Sequence, residues 1–266
     1  MTRFLYNTFP GRVVLRLLTR SFVSKIVGNY MDSPLSKGRI KSFIQKNKIN
    51  MSDYEDREYK SFNDFFTREL KDGARKICTD ADALVSPCDG LLSVYNIGDD
   101  MDIRIKDSHY TAEELLANKF LAKKYRGGKM LVFRLTVTDY HRYVYFDNGT
   151  KEDNVFIPGV LHTVQPIAQT RYKIYKTNSR EYTILHTENF GDAVQMEVGA
   201  MMVGRICNNH KEHTFKRGEE KGRFEFGGST IVLLLEKDMV EIDEIYIPDT
   251  FNEVQVRLGQ KIGRRK

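Results

Sequence analysis

A hydroxyl, a carboxylate and an imidazole, groups that attack carbonyls and carry protons, stand at marked places in this chain. Ser229 follows two glycines in Phe226-Gly227-Gly228-Ser229-Thr230, and an apolar run, 231–235, begins at once. Locally that is a Gly-Gly turn opening a strand. Asp89 sits at the tip of an Asp-Gly turn in Ser86-Pro87-Cys88-Asp89-Gly90. His141, in Asp139-Tyr140-His141-Arg142-Tyr143, closes a strong strand, a place where histidine is often structural. Glu197-Val198-Gly199-Ala200 with Val203-Gly204 reads as a strand packed closely at two glycines. His210 and His213 fall in a charged, turn-like stretch and are expected to be solvated. With no third ligand near them in sequence, no metal site is expected.

The elements that must hold these groups fall into two textures. Runs at 130–137, 143–146, 194–198, 230–235 and 253–256 are β-branched and aromatic, separated by Gly, Asn and Asp, and read as strands. Thr111-x-x-Glu114 caps a short helix among them. Before about residue 83 the pattern is helical. Ser33-Pro34 opens one helix running to about Lys46, and Ser61-x-x-Asp64 caps another ahead of Phe65, Phe66 and Leu70. Residues 1–30 hold five basic side chains and no acidic one. On a helix Arg12, Arg16 and Arg20 form a basic stripe beside an apolar one of Leu15, Leu18, Phe22 and Ile26. Such a helix suits an anionic bilayer surface, or docks on its own domain with its arginines solvated. The fold class is α+β: a helical N-terminal arm, residues 1–75, on a largely antiparallel β core, residues 76–266.

Composition narrows the classes. With 41% hydrophobic and 29% charged residues among 266, the chain is not disordered. A net charge of +6 points to an anionic partner. Cys78, Cys88 and Cys207 give neither a disulfide framework nor a zinc knuckle, which fits a reducing compartment. No run approaches the ~18 apolar residues of a spanning helix, and basic residues interrupt any signal-peptide pattern, so a cytoplasmic location is expected. No RNA-recognition signature or basic-aromatic patch is present, so nucleic acid is not an expected partner.

Taken together, "FNDFFTREL", "SPCDG", "DYHRY", "VGAMMVG" and "FGGST", in that order, resemble the phosphatidylserine decarboxylase family along essentially the whole chain. The long arm and "GGST" look like the variant found in low-GC Gram-positive bacteria. The resemblance implies a lyase made as a zymogen. It would cut itself between Gly228 and Ser229 into a β chain, 1–228, and an α chain, 229–266, which stay associated. Ser229 Oγ would attack the Gly228 carbonyl, β-elimination would follow, and Ser229 would end as a covalent pyruvoyl group. Glycines at 227 and 228 leave room for that attack. The pyruvoyl would hold phosphatidylserine as a Schiff base and release CO₂ and phosphatidylethanolamine. The enzyme would sit peripherally on the cytoplasmic face of the membrane, held in part by Arg12, Arg16 and Arg20. A homodimer and a non-enzymatic membrane-binding protein on the same scaffold remain open.

The resemblance further implies an Asp–His–Ser relay in which Asp89 orients the base that serves Ser229. Most relatives carry two histidines three residues apart in the strand-end motif; here the first is His141 and the second position is Val144. His141 is the expected relay imidazole, His162 the alternative base, and His186 a more remote candidate.

Overall fold

The computed structural model describes residues 2–105, 108–164, 168, 172–200, 205–226, 229–247 and 253–266. Five helices come first: α1 Thr2–Asn7, α2 Phe9–Leu18, α3 Ser21–Asp32, α4 Ile40–Asn47 and α5 Phe62–Phe66, with a 3₁₀ stretch Pro34–Arg39 before α4. The expected single basic helix is thus three helices. Thr8 caps α2 by accepting from the Gly11 N–H, and α2 stops at Thr19, whose hydroxyl donates back to the Leu15 carbonyl. The break changes the faces. Leu15 is buried, whereas Phe22 and Ile26 join Phe9, Val13 and Leu17 on the exposed side.

In chain order the first strands are β1 Ala83–Val85, β2 Gly90–Asn96, β3 Asp102–Ile105, β4 Ser108–Thr111, β5 Lys129–Leu135, β6 Arg142–Val144, β7 Gly149–Lys151 and β8 Val155–Ile157. Then come β9 Arg180–Thr187, β10 Asp192–Val198, β11 Ile206–Asn208, β12 His213–Phe215, β13 Glu220–Phe224, β14 Ser229–Leu235, β15 Val240–Ile242, β16 Val254–Val256 and β17 Lys261–Arg265. A nine-stranded sheet runs β12-β7-β9-β10-β14-β5-β2-β16, with β8 beside β9. Smaller sheets are β1-β17-β15, β11-β13-β6 and β3-β4, and every named strand pair is antiparallel. The α+β expectation holds.

Alternation along the central strands builds a core on each face of the large sheet. Met130, Val132, Val194, Met196, Val232 and Leu234 pack towards Tyr6, Leu15 and the helices near residues 110–125. Leu131, Phe133, Leu185, Ile231, Leu233 and Leu235 pack towards the smaller sheets. Strand β14 is buried at every position, which is why an unbroken apolar run, 231–235, follows Ser229 and Thr230. A third cluster joins α5 to Met31, Tyr140, Val144 and Leu258, and so ties the helical arm to the sheets. Leu233→Ala should lower unfolding stability by about 2–5 kcal/mol, because the gap it leaves is walled by strands that cannot collapse. Urea unfolding followed by circular dichroism measures this, and a loss below ~1 kcal/mol would contradict the packing.

Candidate active site

Three neighbouring strand ends bring the sequence candidates to one edge of the sheet. Ser229 pairs with Leu135, the last residue of β5, and on the far side of β5 Leu91 pairs with Arg134. Gly90 and Ser229 therefore flank the same end of β5, two strand spacings or roughly 10 Å apart. Asp89 immediately precedes Gly90. The Asp139 N–H bonds the Thr136 carbonyl at 3.1 Å, a turn that leads β5 into His141. Val144, in β6, donates its N–H to the Pro87 carbonyl at 2.9 Å, so the strand-end motif lies against the turn that carries Asp89.

Helix α5 is the platform for the segment before Ser229. The Ser61 hydroxyl caps it, accepting from the Asp64 N–H at 3.1 Å, and Ser36 accepts from the Phe62 N–H at 2.8 Å. Asn63 accepts from the Phe226 N–H at 2.9 Å and donates to Asp32 on α3 at 2.7 Å. The Phe226 ring meets Phe62 and Phe66 edge-on at 5.1 and 5.4 Å. Gly227 and Gly228 lie outside the described residues, as do Met201, Met202, Val203 and Gly204 of "VGAMMVG". Ser229 itself is fully buried, and its hydroxyl has no hydrogen-bond partner among the described residues. Such a group costs about 1–3 kcal/mol when left unsatisfied.

His141 is the complementary orphan. Its Nδ1 lies 2.9 Å from the Asp139 carbonyl, which can only accept, so Nδ1 carries the proton and Nε2 presents a lone pair. Nε2 is buried without a partner among the described residues. The Phe66 ring lies 4.0 Å from the imidazole. Burial, helped by the charge of Arg68, pushes the His141 pKa down to about 3, so the ring stays neutral at physiological pH. A neutral imidazole with a free lone pair can take a proton from a hydroxyl.

Asp89 is engaged elsewhere. Its two oxygens accept a fork from Arg75 at 3.1 and 2.7 Å, and Oδ1 also accepts from the Leu258 N–H at 2.8 Å. Arg75 bonds Asp53 as well, and its pKa rises chiefly through the bonds to Asp89. No hydrogen bond joins Asp89 to His141 among the described residues, so main-chain oxygen, not Asp89, orients the imidazole in this structure. Asp139 sits near Asp89; burial pushes its carboxyl up, against the pull of its bonds to Thr136. Asp89, Asp139 and Arg75 line a cavity of about 250 Å³.

The other candidates fall into place by their surroundings. Val144 packs in the apolar cluster with Phe62, Phe65 and Leu258. His162 stacks on Tyr172 at 4.1 Å and meets the Tyr6 hydroxyl of α1 at 3.3 Å, and no described contact joins it to Asp89 or His141. His186 is ruled out as the base by position. It lies six residues along β9 from Arg180, which shares a row with Val198 and so with the Ser229 end, placing it roughly 20 Å away. There it bonds Asp192 and Glu152.

Residues that sequence reasoning passed over also crowd this edge. Arg68, fully buried, spends Nη2 on Tyr54 and on the carbonyls of Thr138 and Asp139, while Nε and Nη1 have no described partner. Glu197 pairs with Ile231, so it shares the face of Ser229 at a diagonal separation of roughly 7 Å. It is buried with Lys221, whose ammonium reaches it at 2.8 Å and Asn208 at 2.7 Å. Burial raises the Glu197 pKa and Lys221 offsets the rise. An arginine beside three phenylalanines in "FNDFFTREL" was the visible signal for Arg68; nothing in the sequence paired Glu197 with Lys221.

The neutral His141 makes the fold acid-sensitive. The unfolded chain takes a proton near pH 6.5 that the folded chain refuses until about pH 3. This residue's contribution is thus complete above pH 6.5 and is lost as pH falls. It should lower stability by about 2 kcal/mol between pH 7 and 5. Urea unfolding of Ser229→Ala chains with and without His141→Asn checks this. The double variant should show the smaller acid loss, and equal losses would place His141 in a wetter site.

Known proteins are similar to this chain along nearly its whole length. The chain matches the profile of the phosphatidylserine decarboxylase family over residues 62–264. It is 47% identical over 265 residues to the phosphatidylserine decarboxylase proenzyme 2 of Clostridium acetobutylicum, a match covering 98% of this chain and 90% of that protein. The phosphatidylserine decarboxylase proenzyme of Fusobacterium nucleatum is 42% identical over 268 residues, covering 98% and 89%. That of Clostridium botulinum is 41% identical over 279 aligned positions, covering 99% and 93%. The site motifs lie within the matched span, and the chain belongs to the phosphatidylserine decarboxylase family.

Proposed function

We propose that this chain is a pyruvoyl-dependent phosphatidylserine decarboxylase that processes itself between Gly228 and Ser229. The observation that carries the reading is the Ser229 hydroxyl, buried without a described partner at the head of a rigid strand, directly after two glycines. His141 Nε2, equally buried and equally unpartnered, leaves the adjoining strand end and supplies the matching lone pair. The proton of Ser229 Oγ passes to His141 as the oxygen attacks the Gly228 carbonyl. The Gly228–Ser229 amide breaks and an ester forms. Loss of the Ser229 α-proton then breaks the Cβ–O bond and releases the Gly228 carboxylate. The remaining dehydroalanine tautomerises to an imine, which water hydrolyses to ammonia and a pyruvoyl group. That group supplies an electron sink for the pair left behind when CO₂ departs from an amine-bearing acid. Asp89, fixed by Arg75 and the Leu258 N–H, braces the turn against which the His141 segment lies.

The substrate fits the surroundings. A cavity of about 400 Å³ lies between α3 and Phe226, with Lys25, Asn63, Gly199 and Arg205 in its wall. Gly199 follows Val198, the partner of Thr230, which carries the cavity wall to the row of Ser229. Lys25 offers a cation to the anionic groups of a phosphatidylserine headgroup, while Arg205 is held by Glu225, and Asp32, Glu181 and Glu225 in the same wall suit its ammonium. On the outside of α2 and α3, Phe9, Leu17 and Phe22 are 75%, 66% and 70% exposed, with Arg12, Arg16 and Arg20 nearby. No helix among the described residues is long and apolar enough to cross a membrane. These helices would instead lie in the bilayer interface, as part of an arm of residues 1–75 against a catalytic unit of residues 76–266.

Mass analysis of the purified protein should show fragments 1–228 and 229–266, the second blocked at its N-terminus. Ser229→Ala should stay whole and inactive, and Asp89→Asn should cleave slowly. His141→Ala should stay whole, while His162→Ala should cleave; the reverse pair would move the base to His162. An uncleaved wild type that still turns over phosphatidylserine would overturn the mechanism.

Binding to phosphatidylserine vesicles should weaken with salt and on neutralising Arg12, Arg16 and Arg20, by about 1 kcal/mol for each charge close to the surface. Cosedimentation measures this. Equal binding to neutral vesicles would remove the electrostatic part.

A further inference from the structure

At the far edge of the large sheet, four strands and roughly 20 Å from β14, the chain assembles three groups with metal-ligand chemistry. His213 opens β12, His210 lies in the loop before it, and Glu219 immediately precedes β13. His213 Nε2 is 2.6 Å from Glu219 Oε1, and His210 Nε2 is 3.9 Å from the same oxygen. The three ligand atoms all lie within 4.8 Å of one another. In sequence the two histidines had no third ligand beside them; the turn between β12 and β13 supplies it.

We propose that His210, His213 and Glu219 bind a divalent late-transition ion of the Zn²⁺ class. Two imidazoles and a carboxylate are a donor set that such ions accept, with a coordination position left for water. Both histidines turn the same nitrogen, Nε2, to the carboxylate. Their rings stack at 3.8 Å and 11°, which sets both Nε2 atoms side by side within 4 Å of the same carboxylate oxygen.

The surroundings hold the ligands as an outer shell does. The Tyr145 hydroxyl lies 3.2 Å from His210 Nδ1, fixing that ring from behind, and Tyr145 is itself stacked on Phe215 at 4.1 Å. Lys151 and Asn154 both donate to the His210 carbonyl, at 3.0 Å each, and clamp the loop. All three side chains are 27–35% exposed, so an ion can reach them from solution.

The test is calorimetric titration of Zn²⁺ into tag-free full-length protein, with thermal unfolding in parallel. One saturable site per chain and a higher unfolding midpoint with Zn²⁺ are expected. His210→Ala, His213→Ala and the isosteric Glu219→Gln should each weaken binding by at least about tenfold, and Tyr145→Phe by less. His186→Asn should leave binding unchanged. Metal-free unfolding midpoints and self-cleavage of the variants serve as fold controls, and Glu219→Gln decides the question if a histidine variant misfolds. Absence of saturable binding overturns the proposal. So does binding that survives the His210→Ala/His213→Ala double substitution, or that disappears instead with His186→Asn.

Discussion

Strand β14 is buried on both faces and paired along both edges, to β5 from Ser229 and to β10 from Thr230. Ser229 is its first residue, so the sheet fixes where its Cα sits and which way its side chain leaves. A serine at a loop tip would sample many orientations. Here a register slip of one residue would send the hydroxyl to the opposite face and misplace the five apolar side chains that follow Thr230. The hydrophobic core thus holds the Ser229 backbone in position, and among the described residues its hydroxyl has no hydrogen-bond partner.

The polar groups at this edge follow the same logic. His141, Arg68 and the Ser229 hydroxyl keep unpartnered atoms in a buried setting, an arrangement that folding alone does not favour. Around them the charges are closed into pairs: Arg75 with Asp89, Lys221 with Glu197, Arg205 with Glu225. Removing one member of the fully buried Lys221–Glu197 pair would strand the other charge, which costs several kcal/mol. The unpaired groups are therefore neutral or, like Arg68, cushioned by aromatic rings at 4.2 and 5.0 Å.

Much of this was legible in the sequence, and the reasons are local. The strand runs appeared where β-branched and aromatic residues cluster between turns, and the caps at Ser61 and Thr111 are made by the residues that signalled them. Residues 1–30 were misread as one helix because periodicity passes smoothly through Thr19 and Arg20; what ends α2 is a side-chain bond to the backbone, which has no pattern in a sequence. The expected relay residues lie at neighbouring strand ends, but the expected bond between Asp89 and His141 is not made among the described residues. Arg75 lies in no motif, yet it takes both oxygens of Asp89. The Asp139 carbonyl that orients His141 belongs to the backbone and is invisible to any reading of side chains.

The topology gives a cut at Gly228 an unusual physical result. The segment after it supplies a central strand of the large sheet, its edge strand β16, and two of the three strands in the β1-β17-β15 sheet. Severing one peptide bond would leave the two pieces interlocked, with nearly every native contact intact. What changes is molecularity. Before the cut, folding is a first-order search by one chain; after it, a denatured molecule is two solutes whose reunion depends on concentration. The fold must be complete while the chain is still continuous, and a processed molecule that once unfolds in dilute solution loses its way back.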